Sequence, residues 1–344
     1  MKGKQGMVCM GLLLVLSSCS CHTGKQITAS GLQRKDFQTE VNGQHTDLFT
    51  LSNKQGMEVC ITNYGARVVS ILVPDRNGKR EDVVCGFSTI TEYMEQRQNF
   101  GSTVGRYIGR ILNARFTLDG VEYKLVPNNG KSGHISHGGN PGFADRIWKV
   151  EQADTHRVRL SYLSPDGENG FPGNLKVTLV YSLGEDDNAL DLTYEATTDA
   201  PTVLNLSHHS FFNISGNFTK SVEDQQLWVD ADRFTPYDDK KCVTGEYLQV
   251  AGTPLDFRMP HTIGECIDAD HPQLKVVNGY DHTWELNTKG DDTRPAAWVY
   301  DPASGRKMEI FTTEPGMQIY TGNGLKGKMT GKRGIAYPFR SAVC

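Results

Sequence analysis

Apolar and polar residues alternate one by one along much of this chain, and rarely at the spacing of a helix. Leu175, Val177, Leu179, Tyr181 and Leu183 fall on one side of an extended segment, with Lys176, Thr178 and Ser182 on the other. That is the period of a half-buried strand. Leu190, Leu192, Tyr194 and Ala196 repeat the pattern against Asp191, Thr193, Glu195 and Thr197, and the turn-rich residues 184–188 between the two runs predict a hairpin. A second hairpin is predicted around Asp301, Pro302, Ala303, Ser304 and Gly305, joining residues 298–300 to 308–311. Further strands are expected at 58–62, 68–73, 158–163 and 226–229, and one short helix at 89–95. Many strands with almost no helix must bury their apolar faces sheet against sheet. The expectation is an all-β protein, a large antiparallel β-sandwich. No repeat, low-complexity block or linker interrupts residues 36–344, which read as one unit.

A chain of 344 residues is long for one domain, but sandwiches run to about 250 residues or more as single units. The 36 glycines suit a fold with many turns. Net charge is −4 with no basic tract, which argues against nucleic acid as a partner. The N-terminus reads as a processing signal. Lys2 and Lys4 precede a short apolar core at residues 7–16, below the ~20 residues that span a bilayer. The core ends in Leu16, Ser17, Ser18 and Cys19, which resembles the bacterial lipoprotein box. Residues 1–18 are therefore expected as signal peptide, Cys19 as the lipidation site and residues 19–35 as a polar tether. The implied location is an exported, lipid-anchored protein on a bacterial membrane facing the periplasm, with the lipid its only membrane contact. Cys21, Cys60, Cys85, Cys242, Cys266 and Cys344 show no CxxC spacing and define no disulfide framework.

The run NLSHHSFFN at 205–213 sets two histidines side by side. On an extended segment neighbours point to opposite faces, so His208 and His209 cannot both serve one site. Either could be a packed strand histidine or a proton-transfer group, since the free side chain titrates near neutrality. Arg106 and Arg110 lie four apart among glycines, and arginine offers a planar fork of donors for neighbouring oxygens. His134 and His137 have HxxH spacing, but Gly138 and Gly139 favour a loop and no third ligand has the right spacing, so no metal is expected. The segment SPDGENGFPG at 164–173 looks superficially like a calcium loop. It lacks the regularly spaced oxygens and late glutamate such a loop needs, and reads as a rigid turn. Asp281 in GYDH and Gln318 in PGMQIY add polar groups that a strand does not require.

Together and in this order, these segments resemble the aldose 1-epimerase (galactose mutarotase) family, from about Phe49 to Cys344. VGRYIGRI resembles the family's arginine segment, and NNGKSGHISHGG its "N…LHGG" segment. SPDGENGFPG is similar to "SPDGE-GYPG", NLSHHSFFN to "NL-NHS-FN", GYDH to "G-DH", and TTEPGMQIYTGN to "T-PG-Q-YTGN". The resemblance implies the family's β-sandwich with an open cleft. It implies His209 as proton donor, Arg110, His137, Asp281 and Gln318 as sugar contacts, and Ser210 beside the donor as a further substrate contact. A hexose such as glucose or galactose is the implied partner, and no metal or organic cofactor is implied.

The chemistry explains these residue types. Exchanging α and β anomers requires opening the hemiacetal: a base takes the C1 hydroxyl proton while an acid protonates the ring oxygen. Rotation about C1–C2 and reclosure complete the exchange. Two departures from the family stand out. Gly109 occupies a position that is commonly asparagine. The family segment that residues 336–344 resemble continues into an "LETQ" motif whose glutamate is the base, whereas this sequence ends at Cys344. A longer natural product carrying that glutamate is the expectation, with Asp281 and Glu314 the carboxylates nearest the other motifs. The alternative is a sugar-binding lipoprotein without turnover. A lyase or hydrolase would need a strong base or a carboxylate pair that no motif here supplies.

Overall fold

The computed structural model describes residues 26–344. The expected signal peptide, Cys19, Cys21 and the first part of the expected tether lie outside the described residues. Among those described, β-strands dominate and form four four-stranded antiparallel sheets with smaller pairings between them. In chain order the strands of the first sheet are β1 (Leu48–Ser52), β2 (Glu58–Thr62), β3 (Arg67–Pro74) and β4 (Arg80–Asp82). The second is a meander of β5 (Lys149–Ala153), β6 (Arg157–Ser164), β7 (Leu175–Leu183) and β8 (Leu190–Thr198).

The strands of the other two four-stranded sheets are β9 (Gln226–Val229), β10 (Arg233–Thr235), β11 (Leu248–Gln249), β12 (His261–Thr262), β13 (Asp281–Glu285), β14 (Ala297–Tyr300), β15 (Lys307–Ile310) and β16 (Gly316–Tyr320). They form two sheets, ordered β12-β9-β14-β15 and β11-β10-β13-β16. All strands expected from the alternation are present. The predicted helix is α1 (Ile90–Gln96), opened by a reciprocal Thr89–Glu92 capping box. A second, α2 (Pro272–Val277), was not expected, although Pro272 in its first turn is a start signal.

Burial follows the period of two. On β7 the Leu175, Val177, Leu179, Tyr181 face meets Val59, Ile61, Val68 and Ile71 of the first sheet in one core. Each such Val, Leu or Ile contributes about 1.5–3 kcal/mol of burial. Tyr181 satisfies its hydroxyl by donating to the Ala66 carbonyl at 2.7 Å. Strand β2 is buried throughout, with Val59 and Ile61 in that core and Cys60 in another built by Phe37, Phe87, Tyr93, Phe100 and Tyr337. The first sheet is thus covered on both faces. A third core joins the other two sheets through Leu227, Val229, Phe234, Trp284, Val299 and Ile319.

One boundary needs correction. Residues 26–35 are packed onto the body and are not a tether. Leu32 is buried in the Phe37 core, Ile27 bridges to Gln33, and the Ala29 amide donates to the Glu58 carboxylate at 2.7 Å. The segment is polar on average, but its one leucine finds a place in the core. Among the described cysteines all five are free thiols.

Candidate active site

His209 leaves a two-residue strand, Ser207–His208, that pairs with Thr103–Val104. Its backbone is held on both sides, donating to Ser102 at 2.8 Å and accepting from Gly101 at 3.0 Å. Alternation then separates the neighbouring side chains as expected. His208 turns toward Tyr181, with ring centroids 6.1 Å apart. His209 turns the other way, stacking on Phe211 at 5.3 Å and meeting His137 edge-on at 5.2 Å. The Cys344 thiol lies 3.2 Å from His209 Nδ1.

Ser210 follows His208, not His209. It is buried, and its hydroxyl sits 3.5 Å from His208 Nε2. The expectation that Ser210 contacts substrate is therefore corrected: adjacency in sequence is opposition in an extended chain.

His137 is presented by a loop that only glycine permits. The preceding pair Ile135–Ser136 lies on Arg110–Ile111, with Ser136 opposite Arg110. His137 itself has φ +52, and its Nδ1 accepts the Gly109 amide at 3.3 Å. A Cβ on Gly138 would stand 1.8 Å from the Gly105 carbonyl oxygen, so the loop closes only with glycine there. Gly109, at φ +74, has open space where a Cβ would point. Asparagine also adopts that backbone, so the family's usual residue would fit.

The two motif arginines divide the work. Arg106 is buried and wrapped by the 164–173 segment, donating to the carbonyls of Ser164, Pro165, Pro172 and Gly173 and to the hydroxyls of Ser164 and Thr202. Asn169, in the same segment, donates to the carbonyls of Gly138 and Pro141 at 2.9 Å each and so buttresses the His137 loop. Arg110 is half-buried and donates to the Lys241 carbonyl at 3.2 Å, with its charge acting on His137, Asp281 and Tyr237.

The remaining expected groups come from adjacent strands. Asp281 and Thr283 of β13 stand opposite Tyr320 and Gln318 of β16. Gln318 Nε2 donates to Asp281 Oδ1 at 2.6 Å and to the Tyr237 hydroxyl at 3.3 Å. Asp281 also acts electrostatically on Cys344, and Cys344 bonds His209. His209, His137, Arg110, Asp281 and Gln318 thus form one linked group. Tyr237 and Cys344 join it without having been expected. Glu314, exposed and engaged only through its amide to Thr312, does not.

Burial shapes the electrostatics. It drives His209 down to about 4, with Arg67 adding to the fall. His137 falls to about 3, through burial first, then His209 and Arg110. Held this low by burial, both imidazoles favour the neutral form at pH 7, so His209 departs from the near-neutral titration expected of a free histidine. Asp281 is raised by burial against the opposing pull of Gln318 and Arg110. His134 and His137 do not share a ligand: His134 Nδ1 accepts the Asn113 amide at 3.0 Å while His137 faces His209.

Comparison with known proteins decides the family. The Aldose 1-epimerase family model matches residues 47–342. The chain belongs to the aldose 1-epimerase family. A galactose mutarotase from Bos taurus is 40% identical over 86% of this chain and 83% of its own length. An aldose 1-epimerase from Escherichia coli (strain K12) is 36% identical over 83% and 81%. The crystal structure of an aldose epimerase homologue from C. elegans superposes with a TM-score of 0.79 at 30% identity, over 87% of this chain and 88% of that one. The all-β sandwich is thus the epimerase fold.

Proposed function

We propose that this protein interconverts the α and β anomers of a hexose, glucose or galactose, and that His209 is the acid that protonates the ring oxygen. The observation that carries the reading is the linked group of two neutral imidazoles, a guanidinium, a carboxylate and an amide. Arg110 and His137 donate to sugar oxygens, and the Asp281 carboxylate and the Gln318 carbonyl accept from sugar hydroxyls. Ring opening moves two protons, one off the C1 hydroxyl and one onto the ring oxygen, and reclosure reverses both. An imidazole held at about 4 offers a proton only when a nearby anion supports its charged form. The carboxylate that takes the C1 proton is that anion. The family resemblance puts it in a glutamate motif directly after the segment resembled by residues 336–344. The Cys344 backbone pairs both ways with Tyr320, and its thiol touches His209.

Polarimetry of freshly dissolved α-glucose or α-galactose tests the acid. In a chain that includes the glutamate motif, His209→Ala should lose about 10²–10⁴-fold in rate while sugar affinity changes by less than tenfold. Retention of the full rate would overturn the assignment. The N-terminal pattern supports export and a lipid anchor at Cys19, with the enzyme facing the periplasm. Intact mass of membrane-extracted protein should show Cys19 as a lipidated first residue, and unmodified Cys19 in a soluble product would refute it.

A further inference from the structure

Tyr237 was not among the groups read from the sequence, yet contacts from separate segments fix it beside Gln318 and Arg110. Strand β10 lies beside β13 with Thr235 opposite Thr283, and Thr283 lies opposite Gln318 of β16. Two residues beyond Thr235 on the same face comes Tyr237, and two before Thr283 comes Asp281. The backbone of Tyr237 is clamped by the side-chain amide of Gln273 on α2, which accepts from its N–H at 2.8 Å and donates to its carbonyl at 2.9 Å. Its ring packs on His282, centroids 5.4 Å apart. Its hydroxyl accepts from Gln318 Nε2 at 3.3 Å and faces the Arg110 guanidinium. The loop it begins supplies the Lys241 carbonyl that holds Arg110.

We propose that Tyr237 is a positioning residue that sets how the cleft reads sugar hydroxyls. It does so by fixing the orientation of the Gln318 amide and the reach of Arg110. The amide of a free glutamine can turn over and exchange its donor and acceptor ends. Here both hydrogens of Gln318 Nε2 are committed, one to Asp281 and one to Tyr237. Oε1 is consequently the end left on the Thr283 side, where the Thr283 hydroxyl approaches at 3.4 Å. Without the phenol oxygen, Asp281 alone holds the amide, one Nε2 hydrogen loses its acceptor, and the Gln318 side chain is less firmly placed. A sugar hydroxyl then meets a freed donor beside a less fixed acceptor, and binding weakens before chemistry does.

This inference rests on the sugar-binding reading of Arg110, Asp281 and Gln318, so its test carries one measurement that is independent of that reading. Tyr237→Phe removes only the hydroxyl and keeps the ring on His282. The side-chain amide of Gln318, followed by ¹⁵N NMR in the sugar-free protein, should show two well-separated, slowly exchanging protons in the wild type. In Tyr237→Phe one should move toward its solvent-exposed position. In a chain that includes the glutamate motif, Tyr237→Phe should raise KM about three- to tenfold, the worth of one net hydrogen bond, with kcat within twofold. In a Gln318→Ala background it should add less than twofold, because the amide it orients is gone. An unchanged Gln318 amide signal, or a full additional loss in the Gln318→Ala background, would overturn the proposal. If the amide signal responds but no form binds or epimerises hexose, the sugar reading falls and the positioning of Gln318 stands.

Discussion

At the residue scale the function turns on which way two neighbouring side chains face. His208 and Ser210 share one side of an extended run and touch each other, while His209 and Phe211 share the other. Ser210→Ala should therefore leave sugar affinity within twofold and cost less than about 1 kcal/mol of stability, since a hydroxyl 3.5 Å from its partner makes a hydrogen bond at the limit of usefulness. Isothermal titration with galactose, beside a urea midpoint, checks both. A tenfold loss of affinity would restore Ser210 as a contact. The sequence alone showed that only one of the histidines could be chemical. The family resemblance pointed to His209, but seeing that Ser210 goes with the other histidine required the frame of pairing that hydrogen-bonds His209 to Gly101 and Ser102.

At the scale of elements, strands place the acceptors and loops place the donors. Adjacent strands β13 and β16 bring Asp281 and Gln318 together through ordinary cross-strand register. His137 and Arg110 instead sit on irregular backbone that must be braced from outside. Asn169 is that brace, and its removal should be felt at His137. Asn169→Ala strands two carbonyls that share one amide group. It should raise KM about three- to tenfold with a stability loss of roughly 1–2 kcal/mol. Steady-state polarimetry and thermal melts measure the pair of effects, and a loss of stability with KM unchanged would make Asn169 purely structural. Alternation made β2, β3, β6, β7, β8, β9 and the β14–β15 hairpin legible. The loops were legible only as motifs, because their shape is set by partners 28 or more residues away. Tyr237 escaped notice because Pro236 ends the strand pattern just before it, and the clamp from Gln273 belongs to a helix too short to show a period.

Across the whole molecule, the neutral buried histidines link folding to pH. His137 is held at about 3, and His208, His209 and His282 at about 4, against about 6.5 for an unfolded histidine. Between those limits the unfolded chain binds more protons than the folded one, so stability rises with pH. The contribution is complete above about 6.5 and drains away as pH falls toward 4. Carboxylates held low by partners, such as Asp268 under Arg340, add their loss only further down. Urea midpoints should stay level from pH 7.5 to about 6.5 and fall from there to pH 4.5, with net proton uptake on unfolding. A flat profile would mean that these imidazoles are better solvated than their burial implies. The sandwich itself was readable from alternation. The coverage of the first sheet on both faces, and the packing of residues 26–35 onto the body, depend on contacts between distant segments and left no periodic trace.

The segment that resembled a calcium loop is a cation host after all, with its guest covalently attached. Six oxygens converge on the Arg106 guanidinium, four of them backbone carbonyls, so the loop solvates an ion that can never diffuse away. Lysine would be a poor guest, with three donors in place of five and no planar fork. Arg106→Lys should cost roughly 3–5 kcal/mol by leaving several buried acceptors bare. The vacated host in Arg106→Ala should then prefer a planar organic ion to a spherical one. Tens of millimolar guanidinium should raise its melting temperature where the same concentration of sodium does not, and the wild type should gain nothing from either.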